Sequence, residues 1–269
     1  MQTISLSLLT VSLVFVAGCK NGTDDPRDHV GQQLNVSQSS HPRNSPTTVN
    51  EVAPPRRIVT LVTSDNWKII GDYYPQRGAP TGAVVLLHER DHAATDWRQL
   101  CEGLAESGIA ALAIDQRGAG RSSRGPSETG KNAPWNTQPD IDAACKYLLK
   151  ESKTFDHHIG LIGASYGANN ALIYAAAHAD LVQSIALFSP GLDYNGLDAM
   201  TPAKVWAGPM YLVYSLHDPI AGLGPEQIRD NCPARDKETN QFDDDKHGTE
   251  LLNSTTVEYS IIFFGRTLK

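Results

Sequence analysis

The sequence predicts an α/β fold with a mostly parallel central sheet and helices on both faces, and three observations predict it. From residue 57 onward, apolar runs of strand length alternate with amphipathic runs of helix length. That is the pattern of strands buried on both faces and joined by crossover helices. The conspicuous polar residues His88, Asp115, Ser165, Ser189 and Asp218 each fall at or just beyond the end of such a run, where parallel sheets bind ligands. The third observation is Gly163-Ala164-Ser165-Tyr166-Gly167, set between the apolar run 159–162 and the helix-forming run 169–179. A Ser on a sharp strand-to-helix turn lifts its hydroxyl above the sheet. The helix that follows points its first N–H groups at any oxyanion forming beside it.

Each element follows from its residues. Residues 57–63 alternate and are β-branched, and 68–74 follow the turn residues Ser64-Asp65-Asn66, which predicts a strand pair. Residues 83–88 and 109–114 read as buried strands. Between them, Asp96 can cap a helix to Ser107 that puts Trp97, Leu100, Cys101 and Leu104 on one face and stops at Gly108. Helices are expected at 140–149, 166–179, 225–232 and from 248 onward, and strands at 159–162, 182–188 and 210–214. Residues 239–242, followed by Asp243-Asp244-Asp245, make a poor strand.

The 269 residues carry a net charge of −7 with no basic stripe, which excludes a nucleic-acid partner. Residues 20–56 are Ser, Asn, Gln, Pro, Asp and His with few large apolar side chains, and read as a disordered tether. Residues 4–18 are apolar, too short to span a bilayer, and end in Val16-Ala17-Gly18-Cys19. This resembles a bacterial lipoprotein signal, whose lipobox is an aliphatic residue, two small residues and a Cys, although no Lys or Arg precedes the apolar run. The resemblance implies a signal peptide over 1–18, a lipidated Cys19 with a tether to 56, and a folded domain over 57–269. Lys20, where an Asp would resemble inner-membrane retention, implies the outer membrane, with the domain in the periplasm or at the cell surface. Cys101, Cys145 and Cys232 then remain, enough for at most one internal disulfide.

A Ser hydroxyl needs a base to take its proton and a third group to orient that base. His247, in a polar loop before an apolar helical run, is the candidate base. Asp218, a short step beyond the strand 210–214, is the candidate acid, with Asp193 and Asp198 as substitutes. His217 shares the acid's own turn and reads as structural or rim. Asp115, heading Asp115-Gln116-Arg117-Gly118-Ala119-Gly120-Arg121-Ser122, reads as the holder of a Gly-rich turn.

With these landmarks in order, the chain from about residue 57 resembles the α/β-hydrolase superfamily. The stretches 187–194 and His247-Gly248-Thr249 are similar to those of capless, dienelactone-hydrolase-like bacterial esterases. The resemblance implies an α/β-hydrolase fold with no large cap domain, since 189–209 is too short for a lid, and therefore an open, shallow site. It also implies Ser165 as nucleophile, Asp218 as acid and His247 as base. The oxyanion hole would come from backbone N–H of Tyr166 and of Glu89 or Arg90, and His88, Phe188, Leu192 and Tyr194 would contact substrate. The expected activity is ester cleavage through an acyl-enzyme, on a small-molecule or lipid ester, with no cofactor, no metal and a monomeric chain. This sequence departs from the family in His88-Glu89-Arg90, where His-Gly is usual. A carboxylate there would oppose an oxyanion unless it turns outward or pairs with Arg90, and motivates an alternative reading as a catalytically weak scaffold lipoprotein. A lesser alternative is a zinc protease, since His88-Glu89-Arg90-Asp91-His92 also fits His-Glu-x-x-His. That chemistry needs a helix through 88–92, where the pattern reads as a strand end.

Overall fold

The computed structural model of the chain describes residues 55–122, 136–152, 155–156 and 158–269. The expected signal peptide, Cys19 and nearly all of the expected tether lie outside these residues. Among the described residues, no helix is long and apolar enough to cross a membrane.

The strands are β1 (Arg57–Val62), β2 (Lys68–Tyr74), β3 (Gly82–Leu87), β4 (Ile109–Asp115), β5 (Ile159–Ala164), β6 (Val182–Phe188), β7 (Asp193–Tyr194), β8 (Leu197–Asp198), β9 (Met210–Ser215) and β10 (Lys237–Phe242). Eight of them form one sheet in the order β1-β2-β4-β3-β5-β6-β9-β10, and β7 and β8 make a separate small hairpin. From β4 to β10 every pairing is parallel, and β2 runs antiparallel to both of its neighbours. The helices are α1 (Arg98–Glu106), α2 (Gln138–Glu151), α3 (Tyr166–Ala177), α4 (Met200–Ala203), α5 (Gly224–Asn231) and α6 (Ser254–Thr267).

The unbroken apolar strands are explained by two cores, one on each face. Val85 and Leu87 of β3, with Ala110, Leu112 and Ile114 of β4, pack beneath Ile141 and Leu148 of α2, Leu172 of α3 and Ile228 of α5. The intervening Val84, Leu86, Ala111 and Ala113 face Leu100 and Leu104 of α1 and Phe263 and Phe264 of α6. A side-chain period of two therefore feeds both cores from the same strands. Cys101, Cys145 and Cys232 are free and buried. Burial pushes their thiols up, Cys145 to about 12, so they behave as small apolar side chains.

Differences from the sequence expectations sit at element ends. Asp96 does not cap α1: it lies inside a 3₁₀ turn, Ala94–Trp97, and its carboxylate meets His92 Nδ1 at 2.6 Å. The helix expected from Gly248 is two pieces, a 3₁₀ turn over Gly248–Leu251 and then α6. Asn253 causes the break, because its side chain accepts the Thr255 and Thr256 N–H groups and restarts the helix. The weak-looking run before the base is a full strand, β10, with Phe242 paired to Ser215 of β9.

Beneath the turn that follows β4, Arg117 is buried and closes on Asp140 of α2 through three hydrogen bonds of 2.7 to 2.9 Å. Its outer edge meets Asp65 at 2.7 Å. Removing one partner of a buried pair strands the other charge. Asp140→Ala is therefore expected to cost about 3–5 kcal/mol, read as a lowered urea midpoint at unchanged m-value.

Candidate active site

The residue after β5 is Ser165, at φ 53° and ψ −122°, a strained conformation for a residue with a side chain. Its surroundings hold it there. The Ser165 N–H donates to the Phe188 carbonyl of β6 at 2.8 Å, and its own carbonyl accepts from Ala168 and Asn169 to start α3. A Cβ on Gly167 would come within 2.6 Å of the Leu87 and His88 carbonyl oxygens, and one on Gly163 would strike the Gly167 backbone. Only glycine fits at either position, so β3, β5 and α3 meet closely enough to raise the Ser165 side chain.

Asp218 lies in the turn after β9, its side chain fully buried. One carboxylate oxygen accepts the Ile220 and Ala221 N–H groups at 2.9 and 3.0 Å. The other meets His247 Nδ1 at 2.7 Å. Burial works to raise the Asp218 pKa, but the His247 and backbone hydrogen bonds outweigh it and hold the carboxyl below its ordinary value. Asp218 thus stays ionised and fixes the imidazole with Nδ1 as donor, leaving Nε2 toward the cavity.

The loop carrying His247 is tied on both sides. The His247 N–H donates to Glu250 at 3.1 Å, and the Gly248 N–H to the Ser189 hydroxyl at 3.0 Å. The acidic run before it joins base loop to acid loop. There the Ser215 hydroxyl donates to the Asp244 carboxylate, and the His217 N–H donates to the Asp244 carbonyl at 3.1 Å. The His217 side chain is exposed beside Asp243. The substitute acids are engaged elsewhere, Asp193 with the Gly196 N–H and Asp198 at the start of α4. Asp115 holds its turn as expected, accepting from the Ala94 and Arg121 N–H groups and the Arg121 side chain.

Ser165, His247, Glu89, Arg90, His92, Tyr194, Ile220 and Glu250 line one cavity of about 380 Å³. Tyr166 opens α3, whose first-turn N–H groups point out of the helix end beside Ser165. Tyr194 shares the cavity with Ser165 and lies edge-on to His247, ring centres 6.4 Å apart. Burial raises its phenol far above the ordinary value, and it donates to the Ser189 carbonyl at 3.0 Å. Leu192 is half-buried nearby in sequence.

Two expected substrate contacts are corrected. His88 is wholly enclosed: Nδ1 bonds the Glu89 carbonyl at 2.6 Å and Nε2 accepts the Gln116 N–H at 2.9 Å. Burial lowers its pKa, so it is a neutral structural imidazole. Phe188 is equally enclosed, edge-on to Trp97 and Tyr211 in the core. Glu89 neither turns outward nor faces solvent; it is buried, and Thr249 donates to it through both its N–H, at 3.0 Å, and its hydroxyl. Asn169 reads in the sequence as an ordinary helix residue, and the structure gives it a larger part. Its side chain grips Gly191 at both N–H and carbonyl and the Leu197 carbonyl, bracing the loop that presents Tyr194. The signal available was a pair of polar side chains, Asn169 and Asn170, one turn inside an otherwise apolar helix.

The zinc geometry fails. Residues 88–92 are a strand end and a turn, with Asp91 at φ 65°, and both His88 nitrogens are engaged. Among the described residues no cluster of three or more metal-ligating side chains occurs.

By sequence, the chain is 30% identical over 122 residues to two uncharacterized proteins of Mycobacterium tuberculosis, from strains H37Rv and CDC 1551 / Oshkosh. Each match spans 45% of this chain and 41% of the relative, less than half of that protein's length. Among solved structures it is similar to the Pyrococcus furiosus esterase Pf2001, at TM-score 0.64 and 18% identity over 80% of this chain and 93% of that one. A cold-adapted esterase from an Arctic intertidal metagenomic library matches at TM-score 0.64 and 18% identity, over 80% and 94%. Dienelactone hydrolase from Anabaena variabilis matches at 0.65 and 17%, over 81% and 100%. At these identities the likeness establishes the α/β-hydrolase fold. A family model, Hydrolase_4, described as serine aminopeptidase S33, matches residues 78–241, and with more than half of its length inside that model the chain belongs to this family of α/β hydrolases.

Proposed function

We propose that the protein is a serine hydrolase that cleaves carboxylic esters through an acyl-enzyme. The observation that carries this reading is the 2.7 Å contact between buried Asp218 and His247 Nδ1, at a cavity shared with a Ser held on a strained strand-to-helix turn. Ser165 Oγ attacks the ester carbonyl carbon while its proton passes to His247 Nε2. The carbonyl oxygen, now anionic, accepts from the Tyr166 N–H and from the Glu89 or Arg90 N–H. Collapse of the tetrahedral species expels the alcohol, which leaves with the proton from His247. A water molecule then attacks the acyl-enzyme by the same route in reverse, releasing the acid and restoring Ser165. Asp218 supports the imidazolium formed in each half-reaction without taking its proton. Tyr194 and Ile220 are the proposed walls for substrate, whereas Leu192, expected to contact it, is not among the residues lining the cavity. The family's description as a serine aminopeptidase makes aminoacyl amides a second substrate class to screen.

The same proposal includes the lipidated Cys19 and a tether to residue 56, supported by the residues at 16–19. Expressed in a bacterium, the full chain is expected in the membrane fraction. Cys19→Ser should release it, and unchanged fractionation would remove this part of the proposal.

Catalysis is tested with a fluorophosphonate probe, the protein being weighed intact. One adduct is expected on the wild type and none on Ser165→Ala or His247→Ala, with ester turnover falling by about 10⁴-fold or more in each variant. An unlabelled, folded wild type would remove the serine-hydrolase reading.

The depressed Asp218 pKa gives a separate check. A carboxyl whose folded value lies below its unfolded one adds stability that is complete above the unfolded value. That stability is lost as pH falls from there through the folded value. By carbon NMR, the Asp218 carboxyl is expected to titrate below the ordinary aspartate value. Asp218→Asn, which offers His247 the wrong hydrogen-bonding partner, should lower kcat by about 10⁴-fold with the fold intact.

A further inference from the structure

Glu89 has no part through its side chain in the acyl-transfer steps proposed above, and its surroundings are specific. It lies just beyond β3, on the loop whose N–H groups are proposed to face the oxyanion, yet its side chain crosses to the base loop. Oε1 accepts the Thr249 N–H at 3.0 Å and the Thr249 hydroxyl, and lies 3.6 Å from His92 Nδ1. Oε2 stands 4.0 Å from His247 Nε2. Besides Glu89 and His247, the charged or titratable groups on this cavity are Arg90, His92, Tyr194 and Glu250, and His92 is itself engaged by Asp96 at 2.6 Å.

The base loop leaves Glu89 a prepared seat. Gly248 is at φ +54°, and a Cβ there would overlap the Glu89 carboxylate, so the loop is shaped around that group as well as by backbone conformation. Four successive N–H groups of the loop are consumed in order: His247 by Glu250, Gly248 by Ser189, Thr249 by Glu89, and Glu250 by the His247 carbonyl. Two of these acceptors, Ser189 and Glu89, come from outside the loop, at the ends of β6 and β3. They clamp it from two sides of the nucleophile strand, since β5 lies between β3 and β6. Of the two, the Glu89 clamp is the one that originates on the oxyanion loop.

We propose that Glu89 is a positioning residue for the proposed base, its carboxylate gripping the Thr249 N–H and hydroxyl so that His247 is held at a fixed offset from the oxyanion-binding loop. This rests on the Ser165–His247–Asp218 reading. Here one residue supplies backbone to the proposed hole and side chain to the loop of the proposed base, so the two halves of the site are coupled through it. A base displaced by about 1 Å costs on the order of 10²-fold in rate, whereas substrate binding, which does not involve the proton transfer, is left largely intact.

The test uses the intact protein, with steady-state hydrolysis of p-nitrophenyl acetate and the rate of fluorophosphonate labelling as paired readouts. Glu89→Ala is expected to lower kcat and the labelling rate together, by about 10- to 10²-fold, with KM within a small factor of wild type. Glu89→Gln, whose amide oxygen can accept the same two hydrogen bonds, is expected to restore most of the loss. Thr249→Val, which keeps the N–H and loses the hydroxyl, should lose several-fold, and adding it to Glu89→Ala should cost little more. Equal losses in Glu89→Gln and Glu89→Ala would overturn the grip in favour of charge alone. A KM effect with kcat preserved, or full activity in Glu89→Ala, would also overturn it. Should Glu89→Ala not fold, Thr249→Val and Glu89→Gln decide by the same criteria. Wild type that takes no label sinks the serine-hydrolase reading instead, and so separates the two failures.

Discussion

The close packing of β5 against β3 at the start of α3 is the constraint on which the rest of the site depends. Two glycines let the α3 backbone approach the ends of β3 and β5 so tightly that any side chain at 163 or 167 would collide with backbone. The strain in Ser165 is held by that packing and by the 2.8 Å bond from its N–H to Phe188. Because β5 sits inside the parallel run β4-β3-β5-β6-β9-β10, flanked by β3 and β6, its neighbours deliver their C-terminal loops to the rim around Ser165. β3 brings Glu89 and Arg90, β6 brings Ser189 and the loop with Tyr194, and β9, one strand further, brings Asp218. The site is thus a consequence of sheet order, with Ser165, the proposed nucleophile, where these three loops converge.

What turns a rim of loops into a defined geometry is buried hydrogen bonding, since loops have few apolar contacts to fix them. Enclosed polar side chains do this in several places. Gln116 donates to the His88 carbonyl at 2.7 Å and accepts from Thr137, while His88 accepts the Gln116 N–H, so the loops after β3 and β4 hold each other. Asn169 does the same for the loop around Gly191 and Asp115 for the Gly-rich turn, while half-exposed Asp244 ties the loops of Asp218 and His247 nearer the surface. Each buried polar group left without its partner would cost about 1–3 kcal/mol, so these networks specify one loop arrangement over others. The proposed catalytic groups themselves contribute little of this rigidity beyond the bond between Asp218 and His247.

Much of this was legible in the sequence, for a physical reason. Strands buried on both faces must be continuously apolar, which marked β3 to β6 and β9; a Ser flanked by glycines between strand and helix marked the turn; and the candidate acid and base, Asp218 and His247, which followed in chain order, meet at 2.7 Å. β10 was harder to read because it is an edge strand, Lys-Glu-Thr-Asn-Gln-Phe, half in water, whose parallel pairing to β9 makes up for its poor apolar pattern. The roles of His88 and Phe188 could not be read because periodicity reports that a residue lies at a strand end, not which way its side chain leaves the backbone. Both turn inward. Glu89 was legible as an anomaly and not as a contact, since its partner Thr249 is 160 residues away.

The placement of Glu89 also bears on how a carboxylate can be tolerated beside acyl-transfer chemistry. In such a reaction two charges develop together, a negative one on the substrate oxygen and a positive one on the base. A fixed anion is unfavourable to the first and favourable to the second, and the balance depends on which is nearer and how far the anion is already neutralised. Here one oxygen takes two donors from Thr249, which draws charge away from the cavity, and the other stands 4.0 Å from His247 Nε2, where positive charge would appear. The geometry therefore turns the group toward the side of the reaction that it favours. A carboxylate at the same position with no Thr249 to receive it, or with a Cβ at residue 248 to displace it, would be driven toward the oxyanion, and the Gly248-Thr249 pair is the local arrangement that prevents this.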